Sequence, residues 1–215
     1  MTTTTTHTTP TTTTKRATKK ETAAAYWNRV LAPYKKPDTR RAVFQLLSTA
    51  VPFVALWGLM LWSLQVSYAL TLLLAVPIAG LQVRLFIIQH DCGHGSFFPS
   101  KRANDVLGSI LGVVTLTPYR YWRRTHAIHH ATSGNLDRRD FGEVTTLTVD
   151  EYLAAGPWKR LGYRLYRNPL VLLVLRPAWQ FLIKHRLPVD APKTWRAEWL
   201  GVMGTNVALA GAVAV

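Results

Sequence analysis

Acidic residues are scarce in this sequence, and none falls within its two longest apolar runs. Eleven Asp and Glu face 26 Lys and Arg in 215 residues, a formal net charge of +15. In a soluble chain that surplus would point to nucleic acid; the apolar runs described below change the reading, and no nucleic-acid partner is expected. Cysteine is nearly absent. Cys92 stands alone, which excludes an intramolecular disulfide and a secreted disulfide framework. There is no GxGxxG, so no dinucleotide-binding loop for flavin or nicotinamide is expected. The first twenty residues, MTTTTTHTTPTTTTKRATKK, lack both apolar periodicity and the apolar core of a signal peptide. A disordered, threonine-rich basic tail is expected over residues 1–25, with His7 an idle solvated side chain.

What is present is apolar and comes in blocks. Ala42 to Trp62 reads AVFQLLSTAVPFVALWGLMLW, 21 residues without a charge. At the helical rise that is about 30 Å, the thickness of a bilayer core. Pro52 lies within it, which membrane helices tolerate better than soluble ones. Ala69 to Gln89, ALTLLLAVPIAGLQVRLFIIQ, is a second run of 21 residues with one charge, Arg84, near its far end. The short segment between them is uncharged, so a transmembrane hairpin is expected. Nine Lys and Arg precede the first run and sixteen lie between Gly93 and Arg196. The positive-inside bias therefore assigns the N-terminus and the long middle region to the cytoplasm. The same surplus suits anionic lipid head groups or an acidic partner.

Three more apolar stretches follow. Val106 to Thr117 is too short to span and reads as a re-entrant or interfacial helix. Pro169 to Ile183 is interrupted by Arg176 and Pro177, which suggests a pair of interfacial helices. Trp199 to Val215 reads as a third span cut by the end of the chain. The expected fold is all-α and integral to the membrane. It comprises spans at about 42–62, 69–89 and 199–215, with cytoplasmic or interfacial helices between the second and third.

Five of the seven histidines fall in two short stretches, HDCGH at 90–94 and RRTHAIHH at 123–130. His90 and His94 are four apart and project from one face of a helix leaving the second run. His126, His129 and His130, at spacings of three and four, share a face of another helix. Neutral imidazole is a common metal ligand and suits iron, zinc or copper. Lipid interfaces prefer Trp, Tyr, Lys and Arg, so a pair plus a triplet of histidines points to metal. Tyr119, Tyr121 and Trp122 read as interface anchors or as the mouth of a tunnel. His185, in KHRLP, reads as a head-group or solvent contact. Arg84, inside a span, is a functional candidate that snorkels or pairs with an acid.

Residues HDCGHGSFF at 90–98 and WRRTHAIHHATSGNLDRRDFGEVTTLTVDEY at 122–152 resemble the first and second histidine boxes of membrane fatty-acid desaturases, in particular the bacterial branch similar to delta-12 and omega-3 acyl desaturases. The resemblance covers roughly residues 30 to 215 and makes 26–215 a partial desaturase domain. It implies an oxygen-dependent oxidoreductase that introduces a double bond into an acyl chain. Two iron ions do the oxidation, O₂ is co-substrate, and an external carrier, a small haem protein or ferredoxin, supplies electrons. It implies His90, His94, His126, His129 and His130 as iron ligands. Asp91, Asp137 and Asp140 are candidates for orienting the ligand rings from behind. The substrate is a fatty acyl lipid or acyl thioester, and the location is the bacterial inner membrane with both boxes cytoplasmic. The family's third box is not in this chain, which reads as an N-terminal piece. Two other readings stay open: a related lipid or carotenoid hydroxylase or ketolase, and a membrane metal-binding or transport protein.

Overall fold

A computed structural model describes residues 22–139 and 144–214. The described residues are helical throughout, without strands.

The chain divides into two compact units, 1–36 and 37–215. In the first, α1 (Ala23–Leu31) runs into a 3₁₀ turn, Ala32–Lys35. Thr22 caps α1, its Oγ1 accepting the Ala25 N–H at 3.3 Å. The helix thus begins inside the expected tail, because Thr22 satisfies one of the orphan donors of its first turn. The rest of that tail, 1–21, lies outside the described residues.

The second unit is built on the hairpin of α2 (Thr39–Ser63) and α3 (Tyr68–His94). Asp38 caps α2 by accepting the N–H groups of Arg40 and Arg41 at 2.9 and 3.2 Å. Ser63 Oγ meets Thr71 Oγ1 at 2.8 Å in the buried turn. Both helices run unbroken through a proline, Pro52 and Pro77. They are long and apolar enough to cross a membrane, and only 11% and 22% of their most apolar windows is buried within the protein. A soluble core helix would be mostly buried, whereas here Phe44, Val51, Val54, Leu73 and Val76 face outward. Arg84 is exposed. α3 continues five residues past the expected span and stops at Gly95, whose φ of 70° is the left-handed conformation that glycine adopts without a steric cost.

Two further helices brace the far end of α3. α4 (Lys101–Val114) and α5 (Tyr119–Thr132) are joined by a tight turn at 115–118. Gln89 is fully buried in α3 and reads that turn: its Oε1 accepts from Thr115 Oγ1 and its Nε2 donates to the Thr117 carbonyl at 3.2 Å. Gly108 lies under the Tyr119 ring so closely that a Cβ there would stand 2.3 Å from it. The Tyr119 hydroxyl donates to the Cys92 carbonyl at 3.0 Å. Tyr119 and Tyr121 are 3% and 2% exposed, so they are core struts instead of the interface anchors expected from composition. Each places its hydroxyl on an acceptor of the protein, the Cys92 carbonyl for Tyr119 and the Asp190 carboxylate for Tyr121, which a water-facing anchor would not need.

After α5 come α6 (Val149–Ala154) and α7 (Pro157–Tyr166). Glu151 and Thr148 form a capping box on α6, and Arg139 forks onto Glu151 with both contacts at 2.9 Å. The expected break at Arg176–Pro177 does not occur. The chain stays helical from 169 to 184 by placing π turns, Val171–Leu175 and Gln180–Lys184, on either side of α8 (Arg176–Trp179). Pro177 is the second residue of α8, directly after the first π turn. The last helix, α9 (Arg196–Val213), packs against α5. It starts three residues before the expected third span, with Glu198 of its first turn accepting from Arg124 at 2.9 Å. It is not among the two helices that are long and apolar enough to cross.

Candidate metal centre

The first histidine pair is set by the helix that carries it. Four residues apart on the last turn of α3, His90 and His94 stack along one face, and their Nε2 atoms are 3.2 Å apart. Asp91 takes the other nitrogen of His90: Nδ1 lies 3.2 Å from Asp91 Oδ1. A proton on Nδ1 donated to that carboxylate leaves the Nε2 lone pair directed at the neighbouring rings.

The second pair comes from α5 and is brought across by tertiary contacts. His126 Nε2 is 3.2 Å from His94 Nε2, and His130 Nε2 is 3.0 Å from His126 Nε2. One nitrogen from each of His90, His94, His126 and His130 lies within 4.8 Å of all the others. His94 and His130 are exposed, His90 and His126 half-buried, so the cluster opens to one side. Burial, and after it the facing rings of His90, His130, His94 and His129, push the pKa of His126 down to about 4, which keeps it neutral at pH 7.

These donors suit a transition metal. Around an ion with bonds of roughly 2.0 Å, tetrahedral neighbours stand roughly 3.3 Å apart; the three contacts of 3.2, 3.2 and 3.0 Å are close to that, while the group as a whole extends to 4.8 Å. Four imidazole nitrogens suit iron, zinc or copper and are poor ligands for calcium or magnesium.

The remaining expected residues are placed differently. His129 lies outside the group of four, its ring 6.2 Å from that of His126 and 5.9 Å from that of His130. Asp137 is in an exposed turn after α5, where its N–H donates to Asn135 Oδ1 at 3.0 Å; no described contact joins it to a histidine. Asp140 lies outside the described residues. His185 is 4% exposed, not in solvent or at a head group. Its Nδ1 meets the Leu116 carbonyl at 3.3 Å and its Nε2 meets Gln180 Nε2 at 2.8 Å. Burial pushes its pKa down to about 4, so it is a neutral strut under the turn that launches α5. Its basic neighbours in KHRLP concealed this in the sequence. Gly93 was also missed as a site residue, while Trp122, read as an anchor or the mouth of a tunnel, lies on the lining of a cavity beside His126. The signal was a glycine inside a histidine box, where a helix interior normally avoids it.

Two cavities flank His126. One, about 750 Å³, is lined by His94, His126 and His130 together with Lys101, Arg120, Arg123 and Arg124, with Asp105 and Glu198 as its acids. The other, about 550 Å³, is lined mostly by rings and apolar side chains, among them Phe86, Trp122, Leu172 and Phe181, with His126 and His129 also on its lining and Arg176 and Lys184 as its cations.

Residues 66–215 match the Fatty acid desaturase family. A fatty acid desaturase of Bacillus subtilis is 48% identical over 179 residues, covering 83% of this chain and 50% of the relative. An sn-1 acyl-lipid omega-3 desaturase (ferredoxin) of Synechocystis is 49% identical over 53 residues, 25% of this chain and 15% of that protein. An endoplasmic-reticulum omega-3 fatty acid desaturase of Nicotiana tabacum is 47% identical over 53 residues, 25% of this chain and 14% of that protein. The chain spans half the length of the Bacillus relative. No solved structure matches it.

Proposed function

The chain belongs to the fatty acid desaturase family, and on that premise we propose that His90, His94, His126, His129 and His130 are iron ligands of an oxygen-dependent acyl desaturase. The convergence of four imidazole nitrogens within 4.8 Å carries this reading. Iron, reduced and then exposed to O₂, supplies an oxidant able to take hydrogen from an unactivated methylene, which no side chain provides alone. The protein's part is to aim the donors and to keep His126 uncharged. Asp91 keeps the His90 proton on Nδ1, and burial keeps His126 uncharged. The two ions of this reading would need more ligands than the four clustered rings, and His129, its ring 5.9 Å from that of His130, would be one of them.

The second cavity receives the acyl chain, with Phe86, Leu172 and Phe181 as its apolar contacts on the lining. The substrate is a fatty acyl lipid or thioester. Electrons arrive from an external carrier; the Synechocystis relative carries ferredoxin in its name. The outward apolar faces of α2 and α3 support insertion in the bacterial inner membrane, and the distribution of Lys and Arg supports a cytoplasmic N-terminus and cytoplasmic histidines.

Two measurements test this. Anaerobic titration of the 215-residue chain in detergent with Fe(II) or Co(II) should give saturable binding that His94→Ala and His126→Ala abolish. Lipid analysis after expression of the gene with an electron-donor system should give a new acyl double bond. A hydroxylated product without a double bond would move the assignment to a hydroxylase. Metal uptake by proteoliposomes would move it to a transporter.

A further inference from the structure

The indole of Trp122 occupies an unusual position. It lies flat on the His126 imidazole, ring centroids 4.5 Å apart and planes within 16°. Its edge meets Phe86 at 5.4 Å, and His90 is 5.8 Å away. Beneath it is Gly93 of α3, where a Cβ would stand 2.8 Å from the indole Cζ3. Glycine at 93 is therefore what lets the plate settle on the backbone between the two histidines of the first pair. The plate lines the second cavity beside His126 and His129, and does not line the first.

An imidazole four residues further along the same helix has two torsions to fix, and the aim of Nε2 depends on both. Asp91 fixes His90 by a hydrogen bond. For His126 the matching restraint is a face: stacking of flat rings holds the plane while leaving both nitrogens free of hydrogen bonds to the restraint. We propose that Trp122 is a positioning residue of the centre, a rigid plate seated on Gly93 that holds the His126 ring in the plane where its Nε2 meets those of His94 and His130. This rests on the metal reading above.

The test is a Co(II) titration of the whole 215-residue chain in detergent, followed by visible absorption, with far-UV circular dichroism as the check on folding. Trp122→Leu removes the plate; Trp122→Phe keeps an aromatic face. With Leu, the ligand-field bands should shift and Co(II) affinity should fall roughly tenfold or more, the usual cost of losing a group that orients a ligand. With Phe, bands and affinity should return most of the way to wild type. Gly93→Ala lifts the plate without removing it and should shift the bands in the same direction; this variant decides the matter if the Leu variant does not fold. Wild-type bands and affinity in Trp122→Leu, or in a folded Gly93→Ala, would overturn the proposal.

A metal-free readout separates this inference from the reading beneath it. The indole ring current should displace the His126 ring-proton resonances in the apo chain, and Trp122→Leu should abolish that displacement. Wild type that binds no Co(II) but retains the displacement would sink the metal reading, and the positioning role with it, while leaving the stack intact. Absence of the displacement in wild type would sink the stack itself.

Discussion

The two histidine-bearing helix ends meet at one centre but are held there in different ways. The rings of α3 need little beyond their own helix: spacing four, an adjacent carboxylate and a glycine stop. The rings of α5 depend on the rest of the molecule. Tyr119 reaches back to Cys92, Tyr121 donates to Asp190 at 2.6 Å, and Arg124 bonds Glu198 while lying over the Trp195 ring at 4.0 Å. His185 and Arg186 both bond the Leu116 carbonyl just before α5 begins. One end is a local structure and the other a tertiary one. Damage to the distant braces of α5 should therefore disturb the centre more than damage near α3.

The largest expected effect is on acidity. His185 has a folded pKa of about 4 against 6.5 for the free side chain. A base with a depressed pKa is neutral in the fold and takes up its proton on unfolding. Its stabilising effect is complete above pH 6.5 and is lost as pH falls towards 4, up to about 3 kcal/mol. Thermal unfolding in detergent at pH 7.5 and pH 5 should show the loss. His185→Gln should flatten it, leaving the share that His126 contributes in the same direction. An equally steep profile in that variant would remove His185 from the set of braces.

Glycine substitutions sharpen the contrast further. Gly108→Ala puts a methyl into the Tyr119 ring and should cost about 2 kcal/mol, overpacking outweighing the helix propensity gained. Gly162→Ala in α7 meets nothing within 4 Å and should stabilise by about 0.5 kcal/mol. Equal effects at the two sites would mean that α4 and α5 are not in close contact.

Tyr121→Phe leaves Asp190 with Lys184 at 2.8 Å but without its hydroxyl donor, and should lower stability by about 1.5 kcal/mol. Metal affinity should fall with it, since Tyr121 precedes the second box. At the α3 end, Asp91→Asn should lower metal affinity about tenfold with little change in unfolding temperature. A larger stability loss from Asp91→Asn than from Tyr121→Phe would reverse the comparison.

Much of the site was legible because the relevant rules are local. Spacing four puts His90 over His94 and His126 over His130 on any helix, and two runs that together hold a single charge make a hairpin wherever water is excluded. The errors came where burial overrode composition. Tyr119, Tyr121 and His185 look like surface residues beside their arginines and lysines, yet each is an internal strut. Arg176–Pro177 looks like a break, yet π turns carry the helix through it.

By itself, then, the sequence determined the helices, the apolar hairpin and the pairing of histidines within each helix, because periodicity and charge act over a few residues. Only the tertiary structure decided that the two pairs share one centre. It also set His129 outside the group of four and seated Trp122 on Gly93. Those outcomes depend on how closely two backbones approach, and that distance is fixed by packing between residues far apart in the chain.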